Sequence, residues 1–432
     1  MKPLPIMNEY ITTRYMTRFQ CLGSACEDTC CNGWAVAVDK DHYSKLKRVM
    51  SQTREEREQF RMMHQLVDAE HQTTENFATI KLRKEDGTCP MLDPAHLCSI
   101  QQRYGEGMLS NTCALYPRVF SCRGARLEMT ANLSCPEIGR LALLPADALE
   151  LVQFDPKSIS HYVPVNQVVE PKAGYRGYID EVRSAVFELL SLSEYPVSAR
   201  LFFVTYFANR TVPFFNQSCD QIDETKLERE INRMRAPLFR EELYQQYGKL
   251  SPSDAVAAII IAEVLSMRSS GNCHPAFLQL VRDVFKPYSG NSAVQEGPIL
   301  NIPMDKFIAE YYRRKALFEP CFNGRIECYF ENYAKNYWLK EWYGKSSNLM
   351  IHMQNLLIRI AVLRFFIFSL FQLPVEAREE EGGALLDREA VRVFCKFSRN
   401  IEHSRMFLDK LTQLLTEKNM QTLAYSACLL KF

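Results

Sequence analysis

Nine of the chain's fifteen cysteines, Cys21, Cys26, Cys30, Cys31, Cys89, Cys98, Cys113, Cys122 and Cys135, fall within its first 135 residues. Even spreading would place about five there. So dense a set of thiols leaves few ways to fold: a disulfide framework, a metal or redox site, or buried sulfurs packed as small hydrophobes. The total is odd, and Met1 to Phe19 carries Lys2, Glu9, Arg14 and Arg18, which interrupt the apolar stretch of a secretory signal. A cytoplasmic chain is expected. Thiols are held reduced there, so the expectation is a metal or redox site.

The thiols form two groups. Cys21-x4-Cys26-x3-Cys30-Cys31 puts four within eleven residues beside Gly23 and Gly33, and Cys89-x8-Cys98-x14-Cys113 is followed by Cys135, with proline next to Cys89 and Cys135. Loops bearing Gly and Pro can turn several deprotonated sulfurs toward one centre. Zinc and an iron-sulfur cluster both take four such ligands; paired zinc knuckles two to four residues apart are absent, and clusters accept more varied spacing. Eight candidates therefore exceed the four expected ligands. In an extended backbone Cys30 and Cys31 point to opposite faces, so one of them is expected to ligate a given cluster. Cys219, Cys273, Cys321, Cys328, Cys395 and Cys428 read as buried thiols.

At 432 residues the chain has room for two to three domains of about 150 residues. With 47% apolar residues, and 52 basic against 51 acidic side chains, disorder and nucleic-acid binding are disfavoured. The expected fold is mainly α: a Cys-rich metal-cluster module over 1–150 with a few short strands, a connecting segment over 151–177, and an all-helical region over 178–432 that binds substrate or cofactor. Strands are expected at Trp34 to Val38 and Phe77 to Leu82, and a hairpin over Arg118 to Thr130 turning at Arg123 and Gly124. A helix is expected from Asp41 to about Glu70, and Ser134 with Glu137 reads as a capping box opening another toward Leu144. Beyond the connector, apolar-periodic segments run over Tyr178 to Ala208, Glu224 to Tyr247, Ser253 to Ser269, Pro275 to Val284, Met304 to Leu317, Cys321 to Trp342, Asn348 to Phe371 and Asp387 to Leu430. Breaks are expected at Tyr288 to Gly297 and Glu376 to Gly383. Leu349 to Leu373 is long enough to cross a bilayer, but His352, Gln354, Asn355, Arg359 and Arg364 make it a soluble helix, so no membrane role is expected.

Weaker signals lie outside the cysteines. Tyr329, Tyr333 and Tyr337 share one helix face, with Trp338, Trp342 and Tyr343 close behind. Such a face could hold a lysine or sulfonium cation, and a core-packing stripe has the same spacing. Glu331 and Asn332 could orient an amine or simply be exposed, and Tyr311 and Tyr312 are equally ambiguous. No two of the eight histidines form a close metal pair; only His96 falls inside the second Cys group, as a ligand, a proton donor or a surface residue. Glu27 and Asp28 read as helix-capping acids or catalytic groups.

The stretch Phe19-Gln-Cys-Leu-Gly-Ser-Ala-Cys-Glu-Asp-Thr-Cys-Cys-Asn-Gly-Trp34 resembles the CxxCxxCC signature of zinc- or iron-chelating Cys-rich proteins, and more closely the bacterial flagellin lysine N-methylase family. The blocks Cys89-Pro-Met-Leu-Asp, Leu97-Cys-Ser-Ile-Gln101, Leu109-Ser-Asn-Thr-Cys-Ala-Leu-Tyr-Pro-Arg118 and Leu133-Ser-Cys-Pro-Glu137 carry the same resemblance over much of residues 10 to 140. In the helical half, Phe330-Glu-Asn-Tyr-Ala-Lys-Asn-Tyr337 is also similar to that family. The resemblance implies an enzyme that methylates lysine side chains on flagellin, using S-adenosylmethionine and a [4Fe-4S] cluster. The oligomeric state is left open, with a monomer slightly favoured.

A nucleotide-fold methyltransferase would need a parallel sheet and a Gly-rich turn, and neither GxGxG nor βα alternation is found. Cys26-x3-Cys30 starts a radical-type motif, but position 33 is Gly33. Direct transfer to a neutral amine and transfer begun by an electron from the cluster both remain open. The rival readings are a non-enzymatic zinc- or iron-binding redox module and a flagellin-binding chaperone.

Overall fold

The computed structural model describes residues 7–33, 36–123, 125–159, 166–167, 178–215, 224–270, 273, 275–289, 302–341, 349–372 and 379–432. Trp34, Gly124, His161, Cys219, His274, Trp342, Tyr343, much of the connector and most of the break at Tyr288 to Gly297 lie outside them. The chain is mainly helical, with its short strands in the N-terminal region. Its packing separates into two units, one of residues 1–141, 150–167 and 398–403, the other of 142–149, 168–397 and 404–432. These units interleave along the chain, whereas the division expected at 151–177 is sequential.

In the first unit, β1 (Glu9–Thr13), β5 (Arg118–Arg123), β6 (Arg126–Ala131), β7 (Leu151–Gln153) and β8 (Asn166–Gln167) form one sheet in the order β7-β1-β6-β5-β8. The hairpin β5 to β6 pairs Arg118 with Ala131 through Arg123 with Arg126, as the turn residues there require. A second sheet joins β2 (Ala37–Val38), β3 (His64–Leu66) and β4 (Ala78–Ile80) in the order β2-β4-β3. The helix expected from Asp41 to Glu70 is two helices, Lys40–Val49 and Arg54–Met63, followed by β3. Thr53 starts the second: its side chain accepts from the Glu56 N–H while the Glu56 carboxylate accepts from the Thr53 N–H, so the chain restarts there instead of continuing. Val38, Leu46, Met50, Phe60, Met63, Ala78 and Cys89 are among the buried residues of a small core between these elements, with Cys31, Cys98 and Cys113 packed against it.

The second unit is built of helices around Leu349–Leu370, which packs against Val197–Phe215, Pro275–Phe285, Met304–Lys315, Glu379–Phe397 and Leu423–Lys431. Leu349–Leu370 is long and apolar enough to cross a membrane, and nearly all its residues are buried inside the unit. Its polar side chains find partners there. Gln354 donates to the Ser426 hydroxyl at 2.6 Å, and the Arg359 guanidinium lies 4.9 Å from the Tyr337 ring centroid. Two expected segments are interrupted. Tyr178 to Ala208 breaks between Leu190 and Val197, at a turn ending in Pro196, and Glu224 to Tyr247 breaks at Ala236, because Pro237 starts a new helix and disfavours helical backbone before it. Of the expected break at Glu376 to Gly383, residues 376–378 lie outside the described residues, and 379–383 open helix Glu379–Phe397. Gly383 is accommodated because a Cβ there would come 2.6 Å from the Arg325 guanidinium.

Candidate functional site

The thiol-bearing loops of the first unit are joined by backbone bonds before any sulfur is considered. The Cys89 N–H donates to the Cys31 carbonyl at 2.7 Å, and Asn32 and Thr88 form a bridge beside it. Gly33 takes φ +77°, a conformation open to glycine, and its N–H donates to the Gly87 carbonyl. The Asp93 carboxylate accepts the Leu97 N–H and shapes the turn leading to Cys98, while the Ser110 hydroxyl caps Asn111–Leu115 by accepting from the Cys113 N–H. Four separate stretches of chain thus bring cysteines to one place.

That place is a cavity of about 110 Å³ lined by Cys30, Cys31, Cys89, Cys98 and Cys113, by His42 and His64, and by apolar side chains including Val38, Leu46, Met63 and Ile100. Cys30 and Cys31 both reach it. The expectation that they diverge assumed extended backbone, but residues 30–31 form a turn, in which the Thr29 hydroxyl accepts the Cys31 N–H at 3.1 Å. Burial, with the Cys98 sulfur among its neighbours, pushes the Cys89 thiol up to about 11. Burial likewise pushes Cys113 up to about 12, in the field of Cys98, Cys89 and Cys30, and raises Cys98. Cys30 is raised chiefly by its hydrogen bond with Cys31. Without a bound cation these sulfurs are neutral thiols. Among the described residues, no three or more His, Cys, Asp or Glu side chains are grouped so that they could hold a single metal ion.

Cys21, Cys26 and Cys135 do not line the cavity. Cys135 is pushed up to about 12 by burial, with Cys26 and then Cys30 as its sulfur neighbours, and Cys26 is raised by burial with Cys21 in its field. The eight candidates therefore divide into five around the cavity and three beside it, a grouping that differs from their order in sequence. Glu27 and Asp28 pair with distant cations instead of capping a helix: Glu27 meets Arg140 at 2.5 Å and Asp28 meets Arg399 at 3.2 Å. Arg399 sits in the π-helical turn Ser398–Glu402 and also donates to the Ser134 carbonyl. The Ser134 hydroxyl lies 2.8 Å from His403 Nε2 and 3.0 Å from the Tyr116 hydroxyl.

His96 is exposed in a turn at φ +61°. The two histidines at the cavity are others, and the sequence carries only a faint signal for one: Asp39 stands three residues before His42 and bonds its Nδ1 at 2.8 Å. Nothing local marks His64. In the second unit Tyr329, Tyr333 and Tyr337 are all buried. Tyr329 donates to Asp387, Tyr333 packs edge-on against Phe394, and the Tyr337 hydroxyl donates to the His352 carbonyl at 3.1 Å. Tyr311 is buried and Tyr312 donates to Asp254. Glu331 is bound by Arg200 at 2.5 Å and Lys335 at 2.6 Å, and Asn332 donates to the carbonyls of Leu143 and Pro145. The tyrosines thus line the helical core, and the acid and amide are engaged in it.

Comparison with known proteins adds the family. The FliB lysine N-methylase C-terminal domain matches residues 183–429. The lysine-N-methylase of Salmonella typhimurium (strain LT2) is 33% identical over 137 residues, 32% of this chain and 33% of that protein. The flagellar biosynthetic protein FliU of Salmonella muenchen is 30% identical over 161 residues, 37% of this chain and 91% of its own length. The lysine-N-methylase of Salmonella choleraesuis (strain SC-B67) is 31% identical over 137 residues, again 33% of its length. The chain thus spans about a third of the two lysine-N-methylases it matches. No solved structure matches it.

Proposed function

The chain belongs to the FliB lysine N-methylase family, and from that membership we infer that it methylates lysine side chains of flagellin with S-adenosylmethionine, assisted by an iron-sulfur centre in the cysteine cavity. The single observation that carries the metal part is the convergence of five thiols from four stretches of chain on one cavity. The donors fit such a centre by type. A multinuclear cluster spans a set of thiolates. Its thiolates would be drawn from Cys30, Cys31, Cys89, Cys98 and Cys113.

When bound, an iron-sulfur centre supplies one-electron redox chemistry. The chain's own part begins with protons: the thiols rest protonated, so loading the cavity releases one proton per coordinating sulfur. In the methyl transfer itself a bond forms between the lysine nitrogen and the methyl carbon, the sulfonium carbon-sulfur bond breaks, and the amine loses a proton, leaving S-adenosylhomocysteine.

Anaerobic purification of the full chain tests the metal part: a visible band at about 400 nm with bound iron and sulfide is expected, and a colourless protein that still methylates refutes it. Incubation with flagellin and S-adenosylmethionine tests the reaction, read as methyl mass on lysine. A second reading, a flagellin-binding role without chemistry, draws on the FliU relative, whose name is that of a flagellar biosynthetic protein. It predicts a stable complex with flagellin and no added mass.

A further inference from the structure

Two histidines from different elements share the wall of the cysteine cavity. His42 lies in the first turn of Lys40–Val49, its Nδ1 2.8 Å from both carboxylate oxygens of Asp39. Asp39 is 8% exposed and also accepts the backbone N–H groups of His42 and Asn111, so its carboxylate is held on several sides. His64 opens β3, with its ring packed on Phe60 and Tyr43 and its Nδ1 3.0 Å from the Phe60 carbonyl. A carbonyl only accepts, so Nδ1 of His64 carries the hydrogen and the lone pair of the neutral ring is on Nε2. That Nε2 is buried and has no hydrogen-bond partner among the described residues.

In both rings one nitrogen is tied to a carboxylate or a backbone carbonyl. This is how proteins orient a histidine that binds metal through its other nitrogen. A buried lone pair on a residue of the cavity wall, with nothing to accept from, makes the case strongest at His64. We propose that His64 and His42 supply imidazole nitrogen donors, through Nε2, to the metal centre of the cysteine cavity, making it a mixed sulfur and nitrogen site. The inference rests on the cavity being a metal centre, as in the proposed function. A neutral imidazole in place of a thiolate leaves the centre less negative and raises its reduction potential.

X-ray absorption at the metal edge of the anaerobically purified full chain reads the ligands directly, whatever the oxidation state. The expected first shell contains nitrogen as well as sulfur, with the outer-shell scattering of imidazole. That scattering should weaken in His64→Ala and in His42→Ala and vanish in the double variant, while metal remains bound and the reduction potential falls. A sulfur-only shell in the unaltered chain overturns the proposal, and so does imidazole scattering that survives in the double variant. Should the variants fail to fold, the shell of the unaltered chain still decides. An unaltered chain without metal overturns the cavity reading together with this one, whereas bound metal with a sulfur-only shell overturns this one alone.

Discussion

Side by side, the two units show different uses of buried space. In the second, Leu349–Leu370 is enclosed by aromatic rings: Phe365 lies 5.3 Å from the ring of Phe285 and 5.5 Å from those of Tyr288 and Phe307, all buried. Close packing of that kind fills the interior with hydrocarbon. The first unit has shorter elements and a smaller core, and its cavity is lined by five cysteines and two histidines among apolar side chains. On the proposed reading, the contrast separates residues that hold a fold from residues that wait for a ligand. It also explains why tyrosines on a regular helix stripe proved to be core, while cysteines on irregular loops converge on a cavity.

The contrast breaks most plainly if cysteines from the two units behave alike. Cys89→Ser and Cys113→Ser should each cut bound metal by about tenfold or more, since even groups that only orient a ligand are worth 10- to 100-fold in affinity. Cys428→Ser, in the helical unit, should leave metal content unchanged. Metal analysis of the anaerobic proteins checks both, and equal losses would erase the distinction. Phe365→Ala should act the other way round. It removes a fully buried ring, at a cost of about 3 to 5 kcal/mol in denaturant unfolding, while metal per folded chain stays constant.

Parts of this division were legible in the residues alone. Turn chemistry at Arg123 and Gly124 foretold the hairpin of β5 and β6, and the local density of cysteine foretold that the N-terminal region would gather thiols. What escaped was long-range. Glu27 and Asp28 pair with cations 113 and 371 residues away, which no local pattern reveals. The return of 398–403 into the first unit is equally silent in sequence, because its π-helical turn follows directly from a regular helix. His64 reaches the cavity because β3 pairs with β4, a register set by tertiary packing. The expected divergence of Cys30 and Cys31 fails for a local reason, a turn in place of extended backbone.

A smaller effect is expected at Asn332, whose amide donates to the carbonyls of Leu143 at 3.1 Å and Pro145 at 2.8 Å and so ties residues 142–149 into the helical unit. Asn332→Ala should cost about 1 to 3 kcal/mol, the penalty of leaving buried acceptors unpaired. Its unfolding midpoint should fall with no loss of metal. A variant that lost metal while keeping its midpoint would mean that this segment serves the first unit instead.

The slightest effect at neutral pH, and the one that grows away from it, belongs to His352. The ring is 1% exposed, and burial, with the nearby Arg359 charge as a lesser cause, holds its pKa well below 6.5. The folded chain therefore keeps the ring neutral at a pH where the unfolded chain protonates it. As pH falls through about 6.5 the unfolded state binds the extra proton, so stability is lost on acidification and is flat above that value. His352→Gln should remove this contribution, giving a less steep fall in unfolding free energy between pH 7 and about 5. Metal content cannot report on the effect, because the thiols respond to acid in their own right; denaturation of the metal-free chain at stepped pH can. If the unaltered chain and His352→Gln lose stability in parallel, the acid response belongs to groups other than this ring, and the helical core tolerates a charge where its burial argues that it should not.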